Sequence, residues 1–422
     1  MFKQLSRHCS RTWIYGWVPL FFLLGVLLGR TQNIPAWADA SLPTPGVLSS
    51  ADVTNSEIWA APPEYVGTSQ NPVSPQIVVS PSGVVHLVWE DAGRIYHAWR
   101  DAQGEWRGPY GLYYGYTPAI ALDSKDRLHL VYSANPAGNF EIYHVVFENG
   151  TWGLPRNVSH TQGASYSPQI AVAPDGSLHV VWNDNTPGEE VLYQAVLDDA
   201  IWINAPLMGA WGKAPSIQID NSLIMHVLWQ GYNKDNKTDV FYMAGKGGMW
   251  TVPRNLSDSS YASVGGQSVI DYAGQVHAVW TENLSPSASR ALYYVRYTVG
   301  RNSSWLRPQT IAQADSEDAN IATSERGSYV HVWWFRGGQW WEQWRGVGAE
   351  RWSAPTPLTR PTSNEVLFRF ANRNDSRLRA FWQVDSPEGA EIYYGEVRTP
   401  VKQVLYFPRM GHNAAHNQVT SP

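Results

Sequence analysis

Histidine is the residue type in this chain whose spacing first suggests chemistry. A single histidine in a conspicuous place would be a candidate general base or metal ligand. Here the histidines recur, each three residues before an aromatic residue: His86, His129, His179, His226, His277 and His331. A seventh copy of the pattern has Arg379 at the histidine place. Because catalysis needs such a residue once, we interpret the six as structural residues that form hydrogen bonds inside the core.

Aromatic side chains outside this pattern are the second feature with chemical meaning. The chain contains 22 tryptophans and 22 tyrosines, and a ring face suits the apolar face of a pyranose sugar. Several of these rings fall in predicted loops, where a strand core does not need them. We predict that they form a ligand-binding site with a nearby carboxylate: Tyr113, Tyr114, Tyr116, Asp184, Trp211 and Tyr232. The alternative is that Tyr113 and Tyr114 pack between repeats or fill the centre of the fold.

Familiar catalytic and metal-binding motifs are missing from the sequence. It has no G-x-S-x-G, no Walker loop and no H-E-x-x-H. The segment 233–239 lacks the glycine and distal glutamate of a calcium loop, and His412 and His416 lack a third ligand. Loop carboxylates could hydrolyse a glycoside, but spacing does not show which of them meet. We predict no metal and no cofactor, assign no catalytic residue, and favour a protein that is not an enzyme.

The histidine pattern belongs to a repeat of about 50 residues. Its best copy is SPQIAVAPDGSLHVVW, residues 167–182. Each unit predicts four strands: an inner strand, a strand with the histidine, a strand with a tyrosine, and an outer strand with tryptophan and proline. Seven such units predict an all-β fold, a single seven-bladed β-propeller of four-stranded blades. We expect a ligand at the mouth of its central channel, on the face with the longer loops.

The last unit lacks an outer strand of its own. Residues 57–62 carry the tryptophan and proline signature, with Trp59, at the other end of the chain. We therefore predict that this N-terminal segment closes the ring as the outer strand of the seventh blade, which would leave no free edge. The alternative is residues 401–408, VKQVLYFP, which also resemble a strand.

The N-terminal segment has the features of an export signal. Residues 1–40 contain a basic start, an apolar run and small residues at Ala38 and Ala40, which predict a signal peptide cleaved after Ala40. A retained membrane anchor is the alternative. We predict a linker at 41–56, the propeller at 57–397 and a tail at 398–422. The one cysteine, Cys9, lies in the signal, so the mature chain has no disulfide.

Charge narrows the range of partners. The formal net charge is −5 and the sequence has no basic stripe, which excludes the usual nucleic-acid partners. We expect a secreted monomer with no membrane contact beyond a possible uncleaved signal.

The repeat resembles the bacterial neuraminidase-repeat, sialidase-like propellers. The resemblance rests on SPQIAVAPDGSLHVVW followed by VLYQ and IW, covers residues 57–397 and implies the propeller fold. The Asp-box S-x-D-x-G-x-T-W and the F-R-I-P strand of sialidases are absent, so no catalytic residue is carried over. We expect an exported binding module for a glycan or cell-surface polymer. The alternatives are a secreted glycan-active enzyme, either glycoside hydrolase or polysaccharide lyase, and a protein-interaction scaffold.

Overall fold

The computed structural model describes most of the chain from residue 63 to residue 398. The described ranges are 63–198, 201–284, 290–298, 304–313, 316–324, 327–358, 365–372, 377–386 and 389–398. They form β-strands in seven antiparallel sheets. Within these ranges no helix has the length and apolar character needed to cross a membrane. The predicted signal and linker, and the predicted tail beyond Arg398, lie outside the described residues and stay predictions.

Each sheet is one blade, and strands that follow one another in a blade are hydrogen-bonded neighbours. The inner strands of blades one to seven are β2 (Val73–Val79), β6 (Tyr116–Leu122), β11 (Ser165–Val172), β15 (Lys213–Ile219), β20 (Ser263–Ile270), β25 (Glu317–Ser324) and β29 (Glu365–Asn372). The second strands are β3 (Val85–Asp91), β7 (Leu128–Ala134), β12 (Leu178–Asp184), β16 (Met225–Tyr232), β21 (Val276–Asn283), β26 (Tyr329–Arg336) and β30 (Arg377–Ser386).

The remaining strands form the outer half of each blade. The third strands are β4 (Arg94–Arg100), β8 (Glu141–Glu148), β13 (Val191–Asp198), β17 (Thr238–Lys246), β22 (Arg290–Thr298), β27 (Gln339–Gly346) and β31 (Gly389–Arg398). The outer strands are β5 (Trp106–Tyr114), β9 (Thr151–Trp152) with β10 (Arg156–Asn157), β14 (Ile201–Trp211), β18 (Met249–Trp250) with β19 (Arg254–Asn255), β23 (Ser304–Trp305) with β24 (Gln309–Ala312), β28 (Thr356–Pro357) and β1 (Glu64–Ser69). A proline divides the outer strand of blades two, four and five, because it offers no N–H to a ladder.

The blades form a ring. Inner strands contact one another in chain order, and β29 of the last blade contacts β2 of the first. This confirms the predicted seven-bladed, all-β propeller of four-stranded blades. In blade seven β1 pairs antiparallel with β31, for example Tyr65 with Tyr393. The predicted closing segment 57–62, with Trp59, and its alternative at 401–408 lie outside the described residues, so neither is tested.

Every inner strand begins with a β-bulge that the sequence did not predict. In blade one the register passes from Val73 opposite Glu90 to Gln76 opposite Val88, and Ser74 has a φ of 51°. Positive φ recurs at the equivalent residues of the next five blades: Thr117, Ser167, Ala214, Gly265 and Asp318. An extra residue bends a strand and re-aims its neighbours without ending the pairing. In blades one to four the inner strands therefore start before the Ser-Pro, Thr-Pro or Ala-Pro dipeptide and continue through it.

The core lies between the blades, where the faces of adjacent sheets meet. The second-strand indoles of the repeat are buried there, as those of Trp89, Trp182 and Trp280 illustrate. Trp333 and Trp340 of blade six, which lie outside the repeat, are also buried. Their burial favours packing over sugar stacking for these two tryptophans.

Candidate functional site

The repeated histidines lie inside the blades, and five of the six are hydrogen-bonded to the neighbouring strand of their blade. Five of the six are at most 3% exposed, while His179 is half-buried. In each of the five, Nδ1 faces a side chain of the neighbouring third strand. The pairs are His86 with His97 at 3.1 Å, His129 with His144 at 3.0 Å, His226 with Tyr242 at 2.8 Å, His277 with Tyr294 at 2.6 Å and His331 with Glu342 at 2.8 Å. These contacts join the second strand to the third, which agrees with a structural role.

Burial disfavours the charged form of the imidazole at His86 in blade one and at His144 in blade two. It lowers the pKa of His86 to about 4 and that of His144, the partner of His129, to about 3. Removing an imidazole from water penalises its charged form, and no carboxylate compensates at either of these two positions. At neutral pH both rings are therefore neutral and act as one donor and one acceptor each.

Three of the predicted ligand residues come together at the boundary of blades one and two. Tyr113, Tyr114 and Tyr116 line a cavity of 710 Å³ that we call the tyrosine pocket. The rest of its wall is formed by Ala92, Gly93, Leu112, Gly115, Tyr132, Ala134, Asn135, Pro136, Phe140, Tyr143 and Pro155. Apart from tyrosine phenols, no titratable side chain is present in this wall.

A glycine between two strands positions the tyrosines. β5 ends at Tyr114, β6 begins at Tyr116, and only Gly115 separates them. A Cβ on Gly115 would lie 2.4 Å from Cδ2 of Tyr132, which no real contact allows. The absence of a side chain lets the Tyr132 ring pass directly against the backbone. Tyr114 and Tyr116 on either side remain 79% and 44% exposed.

Tyr113 forms part of the floor of the pocket. Its ring stacks on that of Tyr132 with centroids 5.6 Å apart and planes 8° apart. Its hydroxyl donates a hydrogen bond to the carbonyl oxygen of Gly153 at 3.0 Å. Burial raises the pKa of Tyr113 above its ordinary value. Of the two sequence interpretations, packing between blades describes Tyr113, and exposure for a ligand describes Tyr114.

Two aromatic residues that the sequence analysis missed extend this surface. The Phe140 ring lies edge-on to Tyr116 at 5.8 Å and tilted against Tyr166 at 5.0 Å. Tyr166 is 37% exposed and lies at the start of β11, the inner strand of blade three. A signal was available for it, because Tyr166 precedes Ser-Pro as Tyr116 precedes Thr-Pro. Both tyrosines occupy the residue just before the bulge of an inner strand.

The other three predicted residues lie apart from the pocket. Trp211 and Tyr232 are about half exposed, at 51% and 50%, in blades three and four, and neither lines the tyrosine pocket. Asp184 is 0% exposed, and its carboxylate accepts hydrogen bonds from the hydroxyls of Thr161 and Ser165 at 2.8 and 2.7 Å. It holds the loop that enters blade three. Because the carboxylate of Asp184 is buried and accepts hydrogen bonds from the protein itself, we exclude Asp184 from the proposed ligand site.

The central channel is polar rather than aromatic. Its cavity has a volume of 470 Å³. The described side chains in its wall include amides and hydroxyls, among them Gln76, Thr117, Gln169, Ser216, Gln267 and Asn320. None of the described lining residues is titratable. The aromatic surface thus lies between two blades and not around the channel as we expected; blade seven's inner-strand side chains are outside the described part.

Within the described ranges no group of three histidine, cysteine or acidic side chains is placed to hold a metal ion. Segment 233–239, which lacks the sequence features of a calcium loop, forms a turn. The Oδ1 of Asn233 accepts hydrogen bonds from the backbone N–H groups of Asp235 and Lys237, both at 3.0 Å. This arrangement uses the side-chain oxygen within the loop itself.

Comparison with known proteins identifies similar folds only. No family model matches the chain, and no curated protein matches its sequence. Its structure is similar to a PL25 ulvan lyase bound to -[GlcA(1-4)Rha3S]-, with a TM-score of 0.55 and 13% identity over 80% of this chain and 97% of that one. It is also similar to the polysaccharide lyase Uly1, at 0.54 and 11% over 82% and 93%.

A third similar structure is a fungal alcohol oxidase of the AA5 family in complex with copper, with a TM-score of 0.56 and 14% identity over 82% of this chain and 77% of that one. Identities this low show a shared propeller fold and nothing about activity. The resemblance to sialidase-like propellers is accordingly kept for the fold alone.

Proposed function

We propose that this protein is an exported binding module and that its tyrosine pocket holds a glycan. The observation that carries the proposal is the exposure of Tyr114 and Tyr116 above a floor of stacked rings in a 710 Å³ cavity. Pockets of this size suit a small ligand or a segment of a polymer. Large aromatic rings left open to water on one surface mark a contact site.

The chemistry of the pocket matches a sugar. A pyranose presents one apolar face, which stacks on a phenol ring and gains on the order of 1 kcal/mol for each ring. Tyrosine hydroxyls and the amide of Asn135 supply hydrogen bonds at the edges of the wall. The Arg94 guanidinium carbon lies 5.7 Å from the centre of the Tyr114 ring and adds a cation at the rim.

The similar structures support a glycan as the ligand, and the side chains of the pocket favour binding over the enzyme alternative. Two similar structures are named polysaccharide lyases, and one holds a saccharide; this supports a glycan as the ligand class at the level of the fold. A glycan-active enzyme would need a base, a carboxylate and a cation to converge on the ligand. The wall of the tyrosine pocket holds neither carboxylate nor histidine, which favours binding over catalysis there.

The test is a glycan array with purified protein, followed by calorimetry on the strongest hit. Tyr114→Ala and Tyr116→Ala should each weaken binding about five- to tenfold through loss of stacking. Tyr272→Ala is the matched control, because Tyr272 is 62% exposed in blade five away from the pocket. Equal affinity of all three variants would overturn the proposed site, and turnover of the bound glycan would establish the enzyme instead. N-terminal sequencing of secreted protein tests export and cleavage after Ala40.

A further inference from the structure

A second cavity lies between blades two and three, on the face that carries the short turns. Its volume is 380 Å³, and we call it the histidine cavity. The polar side chains in its wall are Asp123, Arg127, His129, His144 and Arg156. The ring of Trp202 stands edge-on to His144 at 5.2 Å and forms part of the wall.

Hydrogen bonds fix where the two histidines carry their protons. The carboxylate of Asp123 lies 3.3 Å from Nε2 of His129, so this nitrogen carries the proton and donates. Nδ1 of His129 is then an acceptor, and Nε2 of His144 donates to it at 3.0 Å. Nδ1 of His144 consequently has a free lone pair. It has no hydrogen-bond partner among the described residues, although His144 is only 5% exposed.

More of the charged side chains in the described wall of this cavity are cationic than anionic. Arg127 contacts Asp123 through Nε at 2.6 Å, and its other guanidinium nitrogens make no hydrogen bond within the described ranges. Arg156 sits on β10 directly opposite His144 in the ladder and lines the cavity. Among the described side chains of the wall, with both histidines neutral, the charged groups are the guanidiniums of Arg127 and Arg156 and the carboxylate of Asp123. The wall therefore offers cationic donors beside one neutral acceptor.

Blade one has the same histidine pair without these features. His86 and His97 are 3.1 Å apart, but Ser80 stands where blade two has Asp123. Rings of Trp99, Phe147 and Trp152 surround His97 at 5.0 to 5.2 Å, and its Nδ1 is sealed in the protein. The histidine pair alone is thus a packing device of the repeat. Its opening onto a cavity with two arginines is particular to blade two.

We propose that the histidine cavity binds an oxyanion that also carries an O–H donor. The guanidiniums of Arg127 and Arg156 hold the charge, and Nδ1 of His144 accepts the hydroxyl proton in a hydrogen bond. A hydroxy acid, such as the acid group and neighbouring hydroxyl of a sugar acid, has this chemistry, and so does hydrogen phosphate. Arginine suits such planar, forked contacts to oxyanions. The inference is independent of the tyrosine pocket.

A comparison of inorganic phosphate with sulfate separates binding of the negative charge by the arginines from acceptance of an O–H proton by Nδ1 of His144. Near pH 6.5 phosphate keeps at least one O–H, whereas sulfate has none, so an acceptor in the site distinguishes them. Calorimetry at constant ionic strength should give phosphate an affinity at least about tenfold above that of sulfate, because sulfate leaves Nδ1 of His144 facing an oxygen lone pair. Titration with D-glucuronate against D-glucose tests the sugar-acid source in the same way.

Three variants test whether anion binding and the preference for phosphate arise in this cavity. His144→Tyr introduces the residue type that blades four and five use at the same place. The hydrogen bond to His129 can then persist, while the acceptor at the position of Nδ1 is lost. The preference for phosphate over sulfate should disappear. Arg156→Gln should weaken both anions about tenfold. Arg254→Gln is the matched control, since Arg254 faces Tyr242 in blade four as Arg156 faces His144 in blade two.

Tighter binding of phosphate than of sulfate, or of D-glucuronate than of D-glucose, supports the proposal and identifies which source the site prefers. The absence of both preferences, the absence of binding by phosphate and D-glucuronate at millimolar concentration, or an equal effect of Arg254→Gln and Arg156→Gln would overturn it.

Discussion

The rings of Tyr113 and Tyr132 lie parallel across the boundary of blades one and two, with centroids 5.6 Å apart. Tyr113 belongs to the outer strand of one blade and Tyr132 to the second strand of the next. The stack thus joins two blades beneath the pocket that we assign to a glycan. It makes the floor of that pocket part of the packing between the blades.

Removing parts of Tyr113 should therefore affect stability in two steps. Tyr113→Phe keeps the stack and loses the hydrogen bond to Gly153, which should lower the free energy of unfolding by about 1 kcal/mol. Tyr113→Ala also loses the ring and should cost about 3 kcal/mol. Urea denaturation of the three proteins measures both. If the two variants are equally stable, the ring does not join the blades.

Gly115→Ala should disturb the tyrosine pocket from below. The new methyl would lie 2.4 Å from the Tyr132 ring, so ring or backbone must move. We expect the free energy of unfolding to fall by about 1–3 kcal/mol, as in other overpacked sites, and glycan binding to weaken. Gly346→Ala is the control, because its methyl would meet Tyr329 at an ordinary 3.6 Å. Similar melting temperatures for both variants would contradict the close approach.

Stability should fall in mild acid because of the buried histidines. The pKa of His86 is about 4 in the folded protein against an ordinary 6.5, so the unfolded chain binds protons first as the pH drops. The free energy of unfolding is then full above pH 6.5, declines down to about pH 4 and changes no further through this group below that. One shift of this size corresponds to on the order of 3 kcal/mol.

The measurement for this pH effect is urea denaturation at several pH values between 4 and 8. His86→Phe should be less stable than the natural chain at pH 7, since His97 loses its partner, and should show a shallower decline toward pH 4. If the free energy of unfolding of this variant declines with pH as steeply as that of the natural chain, His86 does not cause the decline.

A chain of polar contacts should couple blades five and six. Asp271 contacts Nε2 of His277 at 2.9 Å, Tyr294 contacts its Nδ1 at 2.6 Å, and Arg345 of blade six donates to the Tyr294 hydroxyl. Tyr294→Phe leaves both His277 and Arg345 short of a partner. It should cost about 1–3 kcal/mol.

A double-mutant cycle of Tyr294→Phe with Arg345→Met isolates that coupling. Because the two side chains touch, the double variant should lose less stability than the two single losses added together, by about 1 kcal/mol. Strict additivity would mean that the contact between the blades contributes nothing.

The outer strand of blade seven should be needed for a soluble fold. Val66 of β1 is buried in a cluster with residues of blades one and seven, and Glu64 accepts hydrogen bonds from Arg100 at 2.7 Å and Trp106 at 2.8 Å. A chain that begins at residue 70 would leave β31 as an exposed edge, which favours aggregation. A chain that begins at residue 57 should stay monodisperse in size-exclusion chromatography. Equal behaviour of the two would contradict this role.

Much of the fold could be predicted from the sequence, because each blade repeats the same local chemistry. The spacing from His179 to Trp182 and the turn at Gly176 are short-range features that recur, so their number predicted seven blades. The starts of the inner strands could not be predicted in this way. A residue such as Ser74 with positive φ before a proline resembles the end of a strand, and only pairing with the next strand shows that it is a bulge.

The candidate sites depended on tertiary structure to a greater degree. Sequence alone determined that Tyr113, Tyr114 and Tyr116 exceed what the repeat requires, since composition and repeat position are local properties. It could not determine that Asp184 is enclosed or that Phe140 joins the tyrosines, because burial depends on which blade edge meets which. The histidine cavity was equally out of reach. Its acid, histidines and arginines lie on three strands and one turn of blade two, and only the pairing of those strands brings their side chains to one cavity.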